Sequence, residues 1–159
     1  MKIVLRLVVA AILFASFGFA YNPLDGVKAQ KQEALKYAKK FVTVKELIQW
    51  KKSGKAFKIV DVRELGEIYA GQIPFKRTLN IPRGKIYAAV KKGILKPNKT
   101  YIMVCRTGHR ALLAAATLVK FYGFKNVYVL KGGIKAWIKA GGLISNGLHL
   151  GKVKIILTK

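Results

Sequence analysis

The chain has 159 residues, of which 52% are hydrophobic and 11% aromatic: enough apolar side chains for one packed domain, and too little chain for two catalytic ones. Its 31 Lys and Arg face 6 Asp and Glu, a formal net charge of +25 that draws anions without choosing among sulfur oxyanions, polysulfides, lipid head groups and nucleic acid. One cysteine and two histidines exclude an intramolecular disulfide and a four-ligand zinc site of Cys and His.

Lys2 and Arg6 precede a mainly apolar run, residues 7–19, that closes on Gly18-Phe19-Ala20. A run short of the ~20 residues that span a bilayer, followed by small residues, reads as a secretory signal peptide. Cleavage is expected after Ala20, with a periplasmic or secreted destination. Residues 21–42 are expected to hold a linker, Tyr21 to Val27, and then a short basic leading helix whose inward positions are Ala34, Leu35, Ala38 and Phe41.

A clear helix start follows at Thr43, because Thr43-Val44-Lys45-Glu46 has the spacing of a capping box, and Gly54 is its stop. Short apolar runs of strand type lie at 57–62, 100–104 and 126–130. Between and after them come helical patterns at 64–70, 84–92, 109–122 and 133–140. Strands alternating with helices imply an α/β fold, a single domain over 43–142 with a central, mostly parallel sheet flanked by helices. Residues 143–159 form a C-terminal tail, in which Val153 to Leu157 suit an edge strand or a pairing between protomers.

In parallel α/β sheets, ligands bind outside the carboxyl ends of the strands. Cys105 immediately follows one strand and precedes the helix that begins near His109, so Cys105-Arg106-Thr107-Gly108-His109-Arg110 occupies that place. Backbone N–H groups of such a loop and the following helix start favour a thiolate there, and the same cradle suits an anionic substrate. Arg106 and Arg110 add positive charge. Gly108 permits the turn, Thr107 offers a hydroxyl, and His109 is either a binding or proton-transfer group or a bystander at a helix start.

Four blocks taken together resemble the rhodanese family from about Thr43 to Gly142: Val60-Asp61-Val62-Arg63-Glu64; Gly71-Gln72-Ile73-Pro74 through Leu79-Asn80-Ile81-Pro82; the Cys105 to Arg110 loop; and Gly123 through Lys131-Gly132-Gly133 to Trp137. The resemblance implies a rhodanese-like domain of the single-domain, periplasmic kind. It implies a sulfurtransferase in which Cys105, as a persulfide, takes sulfane sulfur from thiosulfate or polysulfide and hands it to a thiol or cyanide, without metal or cofactor. Residues 106–110 then form the substrate cradle, Asp61 and Arg63 support the site, and Gly132, Gly133 and Trp137 are structural. For Arg63 the alternative is a lone surface cation. Two departures fall in one connection: Gln72 stands where family members commonly have His, and Phe75-Lys76-Arg77-Thr78 is longer than the usual turn.

Three other readings compete. A phosphatase or arsenate reductase would use a cysteine, an N–H cradle and an arginine, typically spaced C-x5-R, whereas Cys105 to Arg110 is C-x4-R. A periplasmic carrier would deliver persulfide or polysulfide to a partner enzyme. A basic surface binder would associate weakly with an anionic membrane surface. No specific nucleic-acid partner is expected.

Overall fold

The computed structural model describes residues 22–76, 78–145 and 150–151, with the side chains of 150 and 151 left aside. The expected signal peptide and the Val153 to Leu157 segment lie outside the described residues. The described residues start with helix α1, Pro23–Leu35. It starts inside the stretch expected to be a linker, for a local reason: proline is preorganised for a first helical turn, and the Asn22 side chain accepts from the Leu24 N–H at 3.0 Å. Ala34 and Ala38 are buried as expected, while Leu35 stays exposed at the end of the helix.

Strand β1, Phe41–Val42, leads into α2, Val44–Lys52, whose capping box is closed at both ends. The Thr43 N–H donates to Glu46 Oε2 at 2.7 Å and the Glu46 N–H to Thr43 Oγ1 at 3.2 Å. Then come β2, Lys58–Asp61, the single turn α3, Leu65–Ile68, and β3, Thr78–Asn80. A 3-10 turn at Arg83–Lys85 runs into α4, Ile86–Lys91. After β4, Tyr101–Val104, follow α5, His109–Tyr122, β5, Val127–Leu130, and α6, Gly133–Lys139. A small antiparallel pair, β6 (Ile144–Ser145) and β7 (Leu150–Gly151), ends the described chain.

The main sheet has the order β1-β5-β4-β2-β3, with every pair parallel. Its central strand β4 is buried at all four positions, the continuous apolar run expected of a strand covered on both faces. One core, with Val60, Tyr101, Met103, Ala115 and Phe124, lies under α1, α4 and α5. The other, with Leu47, Ile59, Ile102, Leu130 and Trp137, lies under α2 and α6.

The connection that departs from the family pattern is tied down at both ends. The Thr78 N–H donates to the Phe75 carbonyl at 2.9 Å and the Thr78 hydroxyl to the Ile73 carbonyl at 3.0 Å. Gln72 exchanges both backbone hydrogen bonds with Ser145, at 2.8 and 2.9 Å, and so seats the C-terminal pair against this loop.

Candidate active site

Cys105 is the first residue after β4, at the carboxyl edge of the sheet, and it is 1% exposed. The residue as a whole is buried, but the sulfur has a polar neighbour. The Gly108 N–H donates to Sγ at 3.1 Å. Gly108 caps α5 with φ of +107°, a backbone conformation that an L side chain resists, so the residue that ends the loop has to be glycine.

The rest of the loop is oriented from outside. The Cys105 carbonyl accepts from the Ile134 N–H at 2.9 Å and the Arg106 carbonyl from the Lys135 N–H at 3.1 Å, both at the start of α6. In a trans peptide the N–H points opposite to the carbonyl, so the amides of Arg106 and Thr107 are turned away from α6. Successive amides presented in this way form the kind of concavity that binds anions. Gly133 makes the close approach possible: a Cβ there would stand 2.2 Å from the Cys105 oxygen.

Asp61 and Arg63 form a buried ion pair, so the lone-cation reading of Arg63 is wrong. Arg63 donates to Asp61 through Nε and Nη2, to the Gly71 carbonyl through Nη2 at 2.8 Å, and to the Glu67 carbonyl through Nη1 at 3.3 Å. Asn80 adds a brace, donating from Nδ2 to the carbonyls of Asp61 at 3.0 Å and Arg63 at 2.9 Å. The pair therefore fixes the segment after β2 at the same sheet edge as the cysteine loop.

Glu67 carries that support to the loop. Its carboxylate accepts from Arg110 Nη1 at 2.6 Å and Nη2 at 2.7 Å, a bidentate pair about one third exposed. Arg110 and, to a smaller degree, the Glu64 N–H hold the Glu67 carboxyl down at about 2, and Glu67 in turn raises Arg110. Arg110 thus enters the site as half of an ion pair, whereas Arg106 is exposed. The structure brings residues 105–110, Asp61 and Arg63 to one edge of the sheet; Glu67, Asn80 and the contact of Gly133 were missed by sequence reasoning. Glu67 stands three residues after Glu64 at a helix start, a spacing that signals a capping carboxylate. The reach of its carboxylate to Arg110, 43 residues on, has no local signal.

His109 is partly buried, and its Nε2 has no hydrogen-bond partner among the described residues. It borders a cavity of about 390 Å³ that lies between Thr107 and Gly108 of the loop, the end of β5, and Lys31 and Leu35 of α1. On the Arg106 side, a second space of about 360 Å³ is bounded by Glu67, Lys135, Ile138 and Ile144.

Residues 43–140 match the family model described as a rhodanese-like domain. A sulfurtransferase of Allochromatium vinosum is 32% identical over 83 residues, which is 52% of this chain and 73% of that protein. A Mycobacterium tuberculosis protein named as a probable adenylyltransferase/sulfurtransferase is 34% identical over 98 residues, and the chain spans only 24% of its length. Among solved structures, the polysulfide-sulfur transferase homodimer of Wolinella succinogenes has a TM-score of 0.60 at 29% identity, covering 76% of this chain and 85% of that one. A Rhodopseudomonas palustris protein of unknown function, described as a possible tyrosine phosphatase, has a TM-score of 0.65 at 32% identity and covers 80% of this chain and 100% of its own.

Proposed function

The chain belongs to the rhodanese-like family, and on that premise we propose that it is a sulfurtransferase that loads one sulfane sulfur onto Cys105 and passes it to a thiophilic acceptor. The observation that carries this reading is the Gly108 N–H held 3.1 Å from Cys105 Sγ at the end of β4, in a loop whose carbonyls are turned to α6. A persulfide anion is one sulfur longer than a thiolate, and amide donors that face it offset its charge without a counter-ion of their own.

With thiosulfate, the Cys105 thiolate attacks the outer sulfur, the S–S bond of the donor breaks, and sulfite leaves with the electron pair. With polysulfide, the leaving group is the chain shortened by one sulfur. The outer sulfur of the persulfide is then attacked by cyanide or a thiolate, giving thiocyanate or a new persulfide and returning the Cys105 thiolate. Polysulfide is the donor favoured here, on the likeness to the Wolinella polysulfide-sulfur transferase and on an excess of basic over acidic residues that attracts polyanionic chains. Delivery to a partner enzyme is the carrier version of the same chemistry. A periplasmic setting rests on the Lys2 to Ala20 pattern, and the basic surface would also give weak association with anionic membrane.

Phosphate-ester chemistry has less support, even with the Rhodopseudomonas likeness. A phosphatase cradle needs its arginine on the oxyanion, and Arg110 is on Glu67, in a loop one residue shorter than C-x5-R. The test is to incubate residues 21–159 with each donor, record the intact mass, and measure thiocyanate released on adding cyanide, with Cys105→Ala as control. A gain of one sulfur and cysteine-dependent thiocyanate are expected. No persulfide from either donor would overturn the proposal.

A further inference from the structure

Lysines gather at one edge of the main sheet, the edge opposite Cys105. In a parallel sheet each helix that follows a strand runs back, so α2, α4, α5 and α6 end where the strands begin. Those ends carry Lys51 and Lys52, Lys91 and Lys92, Lys120, and Lys139, all exposed. The connections into β2, β4 and β5 add Lys55, Lys96, Lys99 and Lys125, also exposed. Among the described residues, Lys120 alone of these is in an ion pair, with Glu33 at 3.3 Å.

Most of the acidic side chains lie at the other end. Asp61 closes β2, Glu64 and Glu67 follow it, and Glu46 is in the first turn of α2 just after β1, all at the carboxyl edge. A lysine at a helix C-terminus has a local use, because it offsets the carbonyl ends of the last turn. That use does not extend to Lys96, Lys99 and Lys125, which stand beyond the helices.

Apolar side chains stand among these lysines. Ile94, 47% exposed, follows Lys92 by two residues, and Phe121, 67% exposed, follows Lys120. The helices that lead to them, α4 and α5, pack against each other on one face of the sheet, so both side chains are exposed at one end of that layer. On the opposite face, the Trp50 ring at the end of α2 is half-buried, with Lys55 Nζ 3.3 Å from its centre. Nucleic acid would use the lysines and gain little from an exposed isoleucine. An anionic bilayer uses both: its head groups draw the lysines, its acyl boundary takes Ile94 and Phe121, and tryptophan and lysine stems suit the layer between.

We propose that the edge where the strands begin docks on an anionic lipid bilayer, with Ile94 and Phe121 in the head-group layer and Cys105 turned to the aqueous side. This goes beyond weak association by charge, because it places the contact on one edge and sets the direction in which the cysteine loop faces. It does not depend on what Cys105 carries. The length of β4 sets Cys105 roughly 13 Å from that edge. That is more than the Debye length of ~8 Å at physiological salt, so the negative surface is screened from an anion that approaches the loop.

The test uses residues 21–159, which hold every described element and leave out the apolar run that would insert by itself. Co-sedimentation at about 0.1 M salt is compared for vesicles of phosphatidylcholine alone and with about one third phosphatidylglycerol. Binding to the anionic vesicles only is expected. The triple variant Lys55→Gln, Lys96→Gln, Lys125→Gln is expected to bind about 100-fold more weakly, since each lysine at an anionic surface contributes about five-fold. The charge-matched control Lys45→Gln, Lys85→Gln, Lys131→Gln, at the carboxyl edge, is expected to change binding by less than about three-fold. Equal weakening by the two triples, with melting temperatures unchanged, would assign the binding to net charge and overturn the docking edge. No binding to the anionic vesicles, with or without binding to single-stranded DNA, would overturn the lipid.

Orientation is read separately, by quenching of tryptophan emission with brominated lipid. Phe121→Trp and Ile94→Trp are expected to show strong added quenching, and Leu65→Trp, exposed on α3 beside the cysteine loop, none. Equal quenching at Leu65→Trp and Phe121→Trp would overturn the orientation. Neither readout uses sulfur transfer, so a failure to load Cys105 leaves this result standing and a failure here leaves the persulfide reading standing.

Discussion

Gly133 and Cys105 meet backbone to backbone: a Cβ on Gly133 would lie 2.2 Å from the Cys105 oxygen and 2.8 Å from the Arg106 oxygen, and its φ is +58°. The two neighbouring amides, Ile134 and Lys135, hold those same carbonyls. Gly133→Ala therefore has to push α6 off the loop or twist the loop itself, and no flexible side chain is there to give way. Sulfur loading of Cys105, read by intact mass after polysulfide treatment, is expected to fall at least about ten-fold, with a stability loss of about 1–3 kcal/mol in urea unfolding from strain and lost hydrogen bonds. Normal loading would mean that the α6 contact does not set the cradle.

Glu67 and Arg110 give a pH dependence with a definite sign. The folded carboxyl is at about 2 against an ordinary 4.5, so this is a depressed acid: its stabilisation is complete above about 4.5 and is lost as pH falls through about 2. Because the pair is about one third exposed, solvent screening cuts the contribution to about 1 kcal/mol. Glu67→Gln is expected to lower stability by about that amount at pH 7 and by much less at pH 2, as measured by urea titrations at both. An equal loss at both values would place the effect in packing rather than in the ion pair.

Much of this arrangement could be read from the chain, and the parts that could not share a physical reason. β2, β4 and β5 are runs of four buried or half-buried residues, and α2 and α5 have caps or long periodic faces, so each has its signal within a few positions. β1 is two residues long and β3 three, too short to show a period; both exist because β5 and β2 offer them a parallel edge. Pro23 reads as a breaker until it is placed at a first helical turn behind Asn22. At the site, the loop was legible because its residues are consecutive. Asp61 and Arg63 were placed beside it by family resemblance, yet the burial of Arg63 follows from partners at Gly71 and Glu67, which no local pattern announces.

The Asp61–Arg63 pair is the most costly one to break. The Asp61 side chain is 1% exposed and that of Arg63 6%, and the guanidinium also holds the Gly71 and Glu67 carbonyls. Asp61→Asn keeps the shape but leaves a buried cation without its counter-charge, for which a loss of about 3–5 kcal/mol is expected in urea unfolding at pH 7. A loss under about 1 kcal/mol would show that Arg63 finds water in its place.

Arg106 and Arg110 differ in what they have left to offer an anion. Arg106 is exposed next to the nucleophile, while Arg110 is bound at both Nη atoms by Glu67. Arg106→Gln is therefore expected to reduce kcat/KM for an anionic donor by about ten-fold at low salt, and to flatten its fall with ionic strength, with no change in melting temperature. Arg110→Gln is expected to lower the melting temperature by a few degrees through the orphaned Glu67, and to alter the salt dependence less. The comparison is a donor titration from low to about 0.5 M salt, where screening is nearly complete, alongside thermal melts. If both variants flatten the salt dependence equally, Arg110 acts on the donor despite its pairing, and the cradle has two free cations rather than one.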